Sequence, residues 1–189
     1  MKRTEKREHL IDVAASLFNR LGYHAAGIDL VIAEAGIAKT TLYRHFNSKE
    51  ELIVAVLKRV DAQFRDKMRA TVESSGNNKG DKLLATFDFL EAWFKQENFH
   101  GCPFISAAGE FGDQPSVVFH EAAIHKRLIV AYLEELARAD GLPEPRKMAE
   151  EINLLHEGAT AVAHITGDPT VARKAKNVAE RLIRQAQAA

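Results

Sequence analysis

Between Ile28 and Lys49 the chain reads IDLVIAEAGIAKTTLYRHFNSK, and this stretch restricts the fold more than any other. Ile28, Val31, Ile32 and Ala35 recur at helical spacing, Gly36 stops that run, and Leu42 and Phe46 turn inward from a second short helix. Two helices joined across a tight glycine turn are a helix-turn-helix pattern. Lys39, Thr40, Tyr43 and Arg44 fall on the face opposite Leu42 and Phe46, a mixture of cation, hydroxyl and aromatic that suits a DNA groove better than a core. The rest of the chain is then expected to position and control this second helix.

The composition allows that reading without supplying it. Of 189 residues 46% are hydrophobic and spread along the whole length, enough to bury a core. Lys+Arg and Asp+Glu each number 26, so whole-chain basicity gives no argument for nucleic acid and placement must carry it. The single cysteine, Cys102, excludes an intrachain disulfide framework and fits a reducing compartment. The basic start MKRTEKREHL is followed by an amphipathic segment rather than an apolar run, and no stretch approaches the roughly 18 apolar residues of a membrane span. A soluble cytoplasmic protein with no membrane partner is expected.

Nearly every segment has helical periodicity, so the fold class is all-α, with about nine helices. Thr4 is a candidate cap for a first helix carrying Leu10, Ala14, Leu17 and Leu21, which Gly22 ends. Ser48 and Glu51 have capping-box spacing and open a long helix through Leu52, Val56, Val60, Phe64 and Met68, to a loop over Ser74 to Gly80. Asp81 is a cap candidate for a fifth helix reaching Asn98, and Pro103 begins a short sixth that runs to Phe111. Gly112 to Pro115 forms a break before a seventh helix over Ser116 to Ala139. The last two run from Arg146 to Thr166 and from Pro169 to Ala186. The division drawn from this pattern is a DNA-binding domain over residues 1–48 and an effector-binding and dimerisation domain over 49–189.

Gly22-Tyr23-His24-Ala25 followed by IAEAGIAKTTLYRHFNSKEEL resembles the TetR family of transcriptional regulators: Gly36, Lys39, Thr41, Leu42, Tyr43, His45, Phe46, Ser48, Lys49, Glu51 and Leu52 fall on its pattern. Phe99 to Phe104, Glu110-Phe111, His125-Lys126 and Leu154 to Ala159 resemble one branch of that family. The resemblance implies a small N-terminal DNA-binding domain on a larger helical domain that binds a small molecule and dimerises through its last two helices. It also places His45 and Lys49 on phosphates, and Arg44 on a phosphate or a base. Three positions depart from the pattern. Gly27 and Ala38 stand where hydroxyl side chains are common, and Ile32 where alanine is usual. As caps, glycine costs only a few tenths of a kcal/mol against serine, and alanine typically about 1 kcal/mol.

Lys39 is the candidate for a guanine edge and Thr40 for a thymine methyl or an acceptor. Tyr43 suits a thymine methyl or a phosphate, and Thr41 either faces DNA or supports Tyr43. One such helix discriminates weakly, so a homodimer on a palindromic double-stranded operator is expected, acting as a ligand-responsive repressor rather than an enzyme. The dimer face is expected at Ile152, Leu155, Gly158, Ala159 and Val162 with Val178 and Leu182, as a four-helix bundle, with an intrachain core as the alternative. Eight of the 14 aromatics lie between residues 87 and 119, so Phe87, Leu90, Trp93, Phe94, Phe104, Phe111 and Phe119 are candidates to line a pocket for an unidentified small-molecule effector. No cofactor or metal is expected. Glu121 with His125, and His156, Glu157 and His164, form no ligand motif. The competing class is an all-α carboxylate–histidine metalloenzyme, which lacks the paired Glu-x-x-His spacing. Cys102 is read as a buried inert thiol, with an oxidant or electrophile sensor as the alternative.

Overall fold

The computed structural model describes residues 3–76, 78, 80–112 and 116–188. Among them the helices are α1 (Arg3–Leu21), α2 (Ile28–Ala35), α3 (Lys39–Tyr43), α4 (Lys49–Glu73), α5 (Asp81–Phe94), α6 (Pro103–Glu110), α7 (Val117–Ala139), α8 (Pro145–Thr166) and α9 (Val171–Ala188). There is no strand among the described residues, and the all-α class read from periodicity holds.

Several helix ends differ from those the sequence predicts. Thr4 lies inside α1, which the structure describes from Arg3. Asp81 is the first residue of α5 rather than its cap. Gly80, at φ +89°, turns the chain into that helix, and the Asp81 carboxylate accepts from the backbone N–H and the side-chain amide of Asn78 at 3.0 and 2.9 Å. Helix α5 stops at Phe94, four residues early, because the chain tightens into turns in which Gln96 N–H meets the Trp93 carbonyl and Phe99 N–H the Gln96 carbonyl. Helix α9 starts at Val171, two residues late. Asp168 accepts from the N–H and hydroxyl of Thr170 at 2.9 and 2.6 Å and holds the preceding turn. Ser48 and Glu51 do form a cap. The hydroxyl accepts from Glu51 N–H at 3.1 Å, and the carboxylate reaches back to Asn47, accepting from its N–H at 2.7 Å and its amide at 2.9 Å. Of the expected break over Gly112 to Pro115, residues 113–115 lie outside the described residues.

The chain divides into two compact units. The first comprises Met1–Ala62 with Pro103–His125, so the helix-turn-helix shares its unit with α6 and the beginning of α7 as well as with α1 and the first part of α4. Leu10, Ala14 and Leu17 of α1, Val31 of α2, and Leu52, Ile53, Val56 and Leu57 of α4 are buried there. Arg59 of α4 clasps α1, donating to Asp12 at 2.7 Å and to Glu8. A second link, this one buried, joins Asp61 of α4 to His125 of α7 at 2.7 Å, with the Phe104 ring of α6 stacked on the imidazole at 3.6 Å and 6°.

The second unit, Gln63–Cys102 with Lys126–Ala189, is built on α5, α8 and α9, each packed against the other two. Phe87, Leu90, Leu133, Met148, Ile152, Ala163, Ala179 and Ile183 belong to its core. Thr86, His156 and Thr160 are polar residues buried in that unit. His156 Nε2 lies 2.9 Å from the Thr86 hydroxyl, which itself donates to the Leu83 carbonyl at 2.5 Å, so the imidazole is the donor to Thr86. The Phe87 ring meets it edge-on at 4.5 Å. Burial, assisted by the charge on Lys126, lowers the His156 pKa to about 3 and keeps the ring neutral.

A histidine whose folded pKa is depressed contributes its full stability above its unfolded pKa, about 6.5, and loses that stability as pH falls toward the folded value. Acid should therefore destabilise the protein from about pH 6.5 downward toward pH 3, with this group's slope approaching about 1.4 kcal/mol per pH unit. His156→Gln, which retains an amide donor toward Thr86, should flatten that part of the profile in urea titrations at stepped pH.

Candidate nucleic-acid interface

Helix α2 ends as the sequence requires. Gly36 adopts the left-handed conformation at φ +62°, its N–H reaches the Ala33 carbonyl at 3.2 Å, and Ile37 N–H reaches Ile32 at 3.3 Å. Gly27 and Ala38 precede α2 and α3 in extended backbone, and neither helix has a side-chain cap. The lack of hydroxyls noted in the sequence is therefore expressed in the fold, and tertiary packing has to hold α3. It does so through Leu42 and Phe46, both fully buried. His9 of α1 secures the end of α2 from the other side, its Nε2 lying 3.1 Å from the Ala35 carbonyl.

The opposite face of α3 is open. Lys39, Thr40 and Arg44 are exposed, Tyr43 is 46% exposed, and Thr41 and His45 are half-buried. Lys39 does not wave freely: its ammonium donates to Asp29 Oδ1 at 2.9 Å, and this bond, with the charge of Asp29, raises its pKa. Lys49 is half-buried at the start of α4 and donates to the His24 carbonyl at 3.1 Å. Burial lowers its pKa, while the Glu110 carboxylate acts in the opposite direction. Sequence reasoning missed four participants: Asp29, Glu110, Tyr23 and Arg7, whose guanidinium lies 5.3 Å over the Phe46 ring. Of these Asp29 left a local signal, an acid ten positions before Lys39 across a turn, and Tyr23 and Glu110 stand in stretches that carry the family resemblance.

The remaining candidates fall in different places. Phe87, Leu90 and Phe94 are buried in the core of the second unit with Trp93 at its margin, where Phe64 and Phe99 meet the indole edge-on at 5.1 and 5.0 Å. Phe104 and Phe111 belong to the first unit, one stacked on His125 and the other 4.7 Å from the His24 ring, and Phe119 is exposed. On α8, Ile152 and Ala159 are buried in the core of their own unit, Leu155 is half-buried, and Gly158 and Val162 are exposed. On α9, Val178 and Leu182 are half-buried. The exposed apolar strip of α8 lies further round, at Leu154 (71% exposed), Gly158, Ala161, Val162 (45%) and Ile165 (84%). Lys126 donates to both Glu157 oxygens at 2.7 Å and to Cys102 Sγ at 3.3 Å. Among the described residues no three His, Cys, Asp or Glu side chains gather as a metal site, and no helix is long and apolar enough to cross a membrane.

A short helix anchored by two buried side chains, presenting cations, hydroxyls and an aromatic across a glycine turn, defines a helix-turn-helix DNA-binding regulator. Residues 10–56 match the family described as bacterial regulatory proteins of the tetR family, and residues 80–179 match the tetracyclin repressor-like C-terminal domain. The chain belongs to the TetR family of transcriptional regulators and is not an enzyme. A TetR-family regulator from Streptomyces coelicolor has the same fold, with a TM-score of 0.88 at 27% identity over 97% of this chain and 96% of that one. The HTH-type transcriptional regulator LmrA of Bacillus subtilis is 27% identical over 82% of this chain and 84% of its own length. The HTH-type transcriptional activator FasR of Mycolicibacterium smegmatis is 40% identical over 95 residues, 48% of this chain and 43% of FasR, and the repressor NemR of Escherichia coli is 28% identical over 58% of this chain and 55% of its own length. The matched stretches thus span about half the length of these two relatives.

Since Asp29 competes with any base for the Lys39 ammonium, Asp29→Asn should tighten binding to the preferred duplex by about two- to fivefold, the modest range of an exposed ion pair. Fluorescence anisotropy with a duplex enriched from a random pool measures this. Weaker binding by the variant would mean that Asp29 aims Lys39 rather than restraining it.

Proposed function

We propose that this regulator is a ligand-responsive repressor that binds a palindromic operator as a homodimer. Residues 1–48 read the DNA, and residues 49–189 hold the effector site and the dimer face. The observation that carries this reading is the division of α3 into a buried edge, Leu42 with Phe46, and an exposed edge of Lys39, Thr40, Tyr43 and Arg44. Side chains on that exposed edge can reach base edges and phosphates, Lys39 by exchanging its Asp29 partner. Lys39 and Thr40 lead the helix and take base contacts; Tyr43 and Arg44 take a base or a phosphate; Thr41 supports Tyr43; His45 and Lys49 anchor the backbone. Such a reader works in the compartment that holds the DNA, the cytoplasm of a bacterium.

The dimer is supported by the α8 strip. Three large apolar side chains and two small residues along one exposed helix face fit self-association about a two-fold axis. Ile152 and Ala159, expected on that face from spacing, are replaced in this proposal by Leu154 and Ile165, beside Gly158, Ala161 and Val162, which the spacing also places there. The aromatic-rich core around Phe87, Leu90, Trp93 and Phe94, all within the second unit, is the favoured lining of the effector site, and Phe104, Phe111 and Phe119, which belong to the first unit, are left out of this proposal. Repression is favoured because relatives named as repressors, NemR of Escherichia coli and TetR of Mycobacteroides abscessus, are among the matches. FasR, named as an activator, makes activation the outcome to test against.

A dimer neutralising about eight phosphates should lose operator affinity with a slope of log K on log[salt] near −7. Ile165→Glu and Leu154→Glu should each give a monomer in sedimentation velocity and lower operator affinity by at least about a hundredfold, since one half-site then binds alone. A salt slope near zero, or a charged α8 variant that stays dimeric with full affinity, would falsify the reading. A reporter gene downstream of the selected duplex, with and without the protein, decides repression against activation.

A further inference from the structure

Helix α6 grips the turn between α1 and α2 at both of its ends. At its start, the Pro103 carbonyl accepts from the Tyr23 hydroxyl at 3.0 Å. At its end, Glu110 Oε1 accepts from Tyr23 N–H at 2.8 Å and Oε2 from His24 N–H at 2.5 Å, with His24 Nδ1 3.3 Å away. The Phe111 ring packs on the same turn, 4.7 Å from His24 and 6.5 Å from Tyr23. Gly22, at φ +86°, lets the chain pass under the carboxylate; a Cβ there would stand 3.1 Å from Glu110 Oε1.

The position of Glu110 is costly for α6 itself. A carboxylate in the last turn of a helix faces the negative end of the dipole, and α6 has no basic residue in that turn to offset it. The compensation comes from outside the helix, from two backbone N–H groups that a loop would otherwise give to water. The residue held in this way does one more thing: the carbonyl of His24, in the next peptide, accepts from the Lys49 ammonium at 3.1 Å. One chain of contacts therefore runs from the carboxylate through the His24 backbone to the cation at the head of α4, all inside one compact unit.

We infer that Glu110 is a positioning residue for DNA binding: through the Tyr23–His24 turn it fixes the His24 carbonyl that aims the Lys49 ammonium at a phosphate. The inference rests on the proposed phosphate role of Lys49. It opposes the simple electrostatic expectation, in which removing an acid near the DNA face strengthens binding.

The test is a double-mutant cycle in the full-length protein, using the duplex enriched from a random pool, with Glu110→Ala, Glu110→Gln, Lys49→Ala and Glu110→Ala/Lys49→Ala titrated across a salt series. Both Glu110 variants should bind about tenfold more weakly. The glutamine gains nothing because its NH2 would face a backbone N–H. Their salt slopes should shrink by about 0.9 for each phosphate that is no longer neutralised, as in Lys49→Ala. Adding Glu110→Ala to Lys49→Ala should then cost almost nothing further. Tighter binding by Glu110→Gln, an unchanged slope, or effects that simply add overturn the inference. If Lys49→Ala weakens binding and Glu110→Ala does not, the phosphate anchor stands and only the role of Glu110 falls. If Lys49→Ala equals the wild type, the anchor falls and the role of Glu110 with it.

Discussion

A helix of five residues cannot hold itself in water, where isolated helices shorter than about 12 residues are marginal. Helix α3 exists because Leu42 and Phe46 are buried beneath it, and truncating either to alanine would cost about 2–5 kcal/mol, a large part of the whole stability of a small domain. Everything presented to DNA is aimed by that burial. Arg7 over the Phe46 ring and His9 against the end of α2 tie α1 to the same anchor, and Arg59 then ties α1 to α4. The polar face of α3 is therefore held in place by the burial of the apolar one, although neither α2 nor α3 has a side-chain cap.

The part of this arrangement that depends on near neighbours was legible in the sequence. The stop at Gly36 follows from one residue's tolerance of positive φ, and the inward turn of Leu42 and Phe46 follows from a spacing of four. Caps were less legible, because Thr4 and Asp81 have the right side chains while capping depends on where the backbone leaves helical φ and ψ. The face of α8 was the least secure. Its apolar residues cover much of the circumference, and periodicity alone does not say which strip the chain uses for itself. Ile152 and Ala159 went to the core that α8 shares with α5 and α9, leaving Leu154, Val162 and Ile165 outside. Pairs such as Tyr23 with Glu110, or Asp61 with His125, are separated by more than sixty positions and leave no periodic trace.

The two cations expected to matter most at the DNA face are already occupied, Lys39 by Asp29 and Lys49 by the His24 carbonyl. This suits a chain whose charges balance overall. A cation held by an exposed carboxylate is pre-extended in a defined direction, yet the pair is weak enough, at about 0–1 kcal/mol, to exchange for a phosphate or a guanine. The half-buried Lys49 is different in kind. Burial pushes its pKa down while the nearby Glu110 carboxylate pulls it up, so its charge is supported by the same residue that holds the turn beneath it. The acid near the interface has a stabilising as well as a repulsive effect, and geometry decides which is larger.

Affinity sets a limit on what one such head can do. A good bidentate base contact discriminates by about 1–3 kcal/mol, and in the proposed reading only Lys39 and Thr40 lead α3 toward base edges. A single head thus separates its site from random sequence by too little to find it among the competing sites of a genome. Two heads held at fixed separation multiply the discrimination without adding a residue to either. The strip on α8 has the composition for that, with Leu154, Val162 and Ile165 to bury and Gly158 and Ala161 to allow close approach. Because the second head of such a dimer binds from a fixed position, any change in the separation of the two heads alters affinity for both half-sites together. Regulation then needs no change within α3 itself, whose buried anchor leaves little freedom to change.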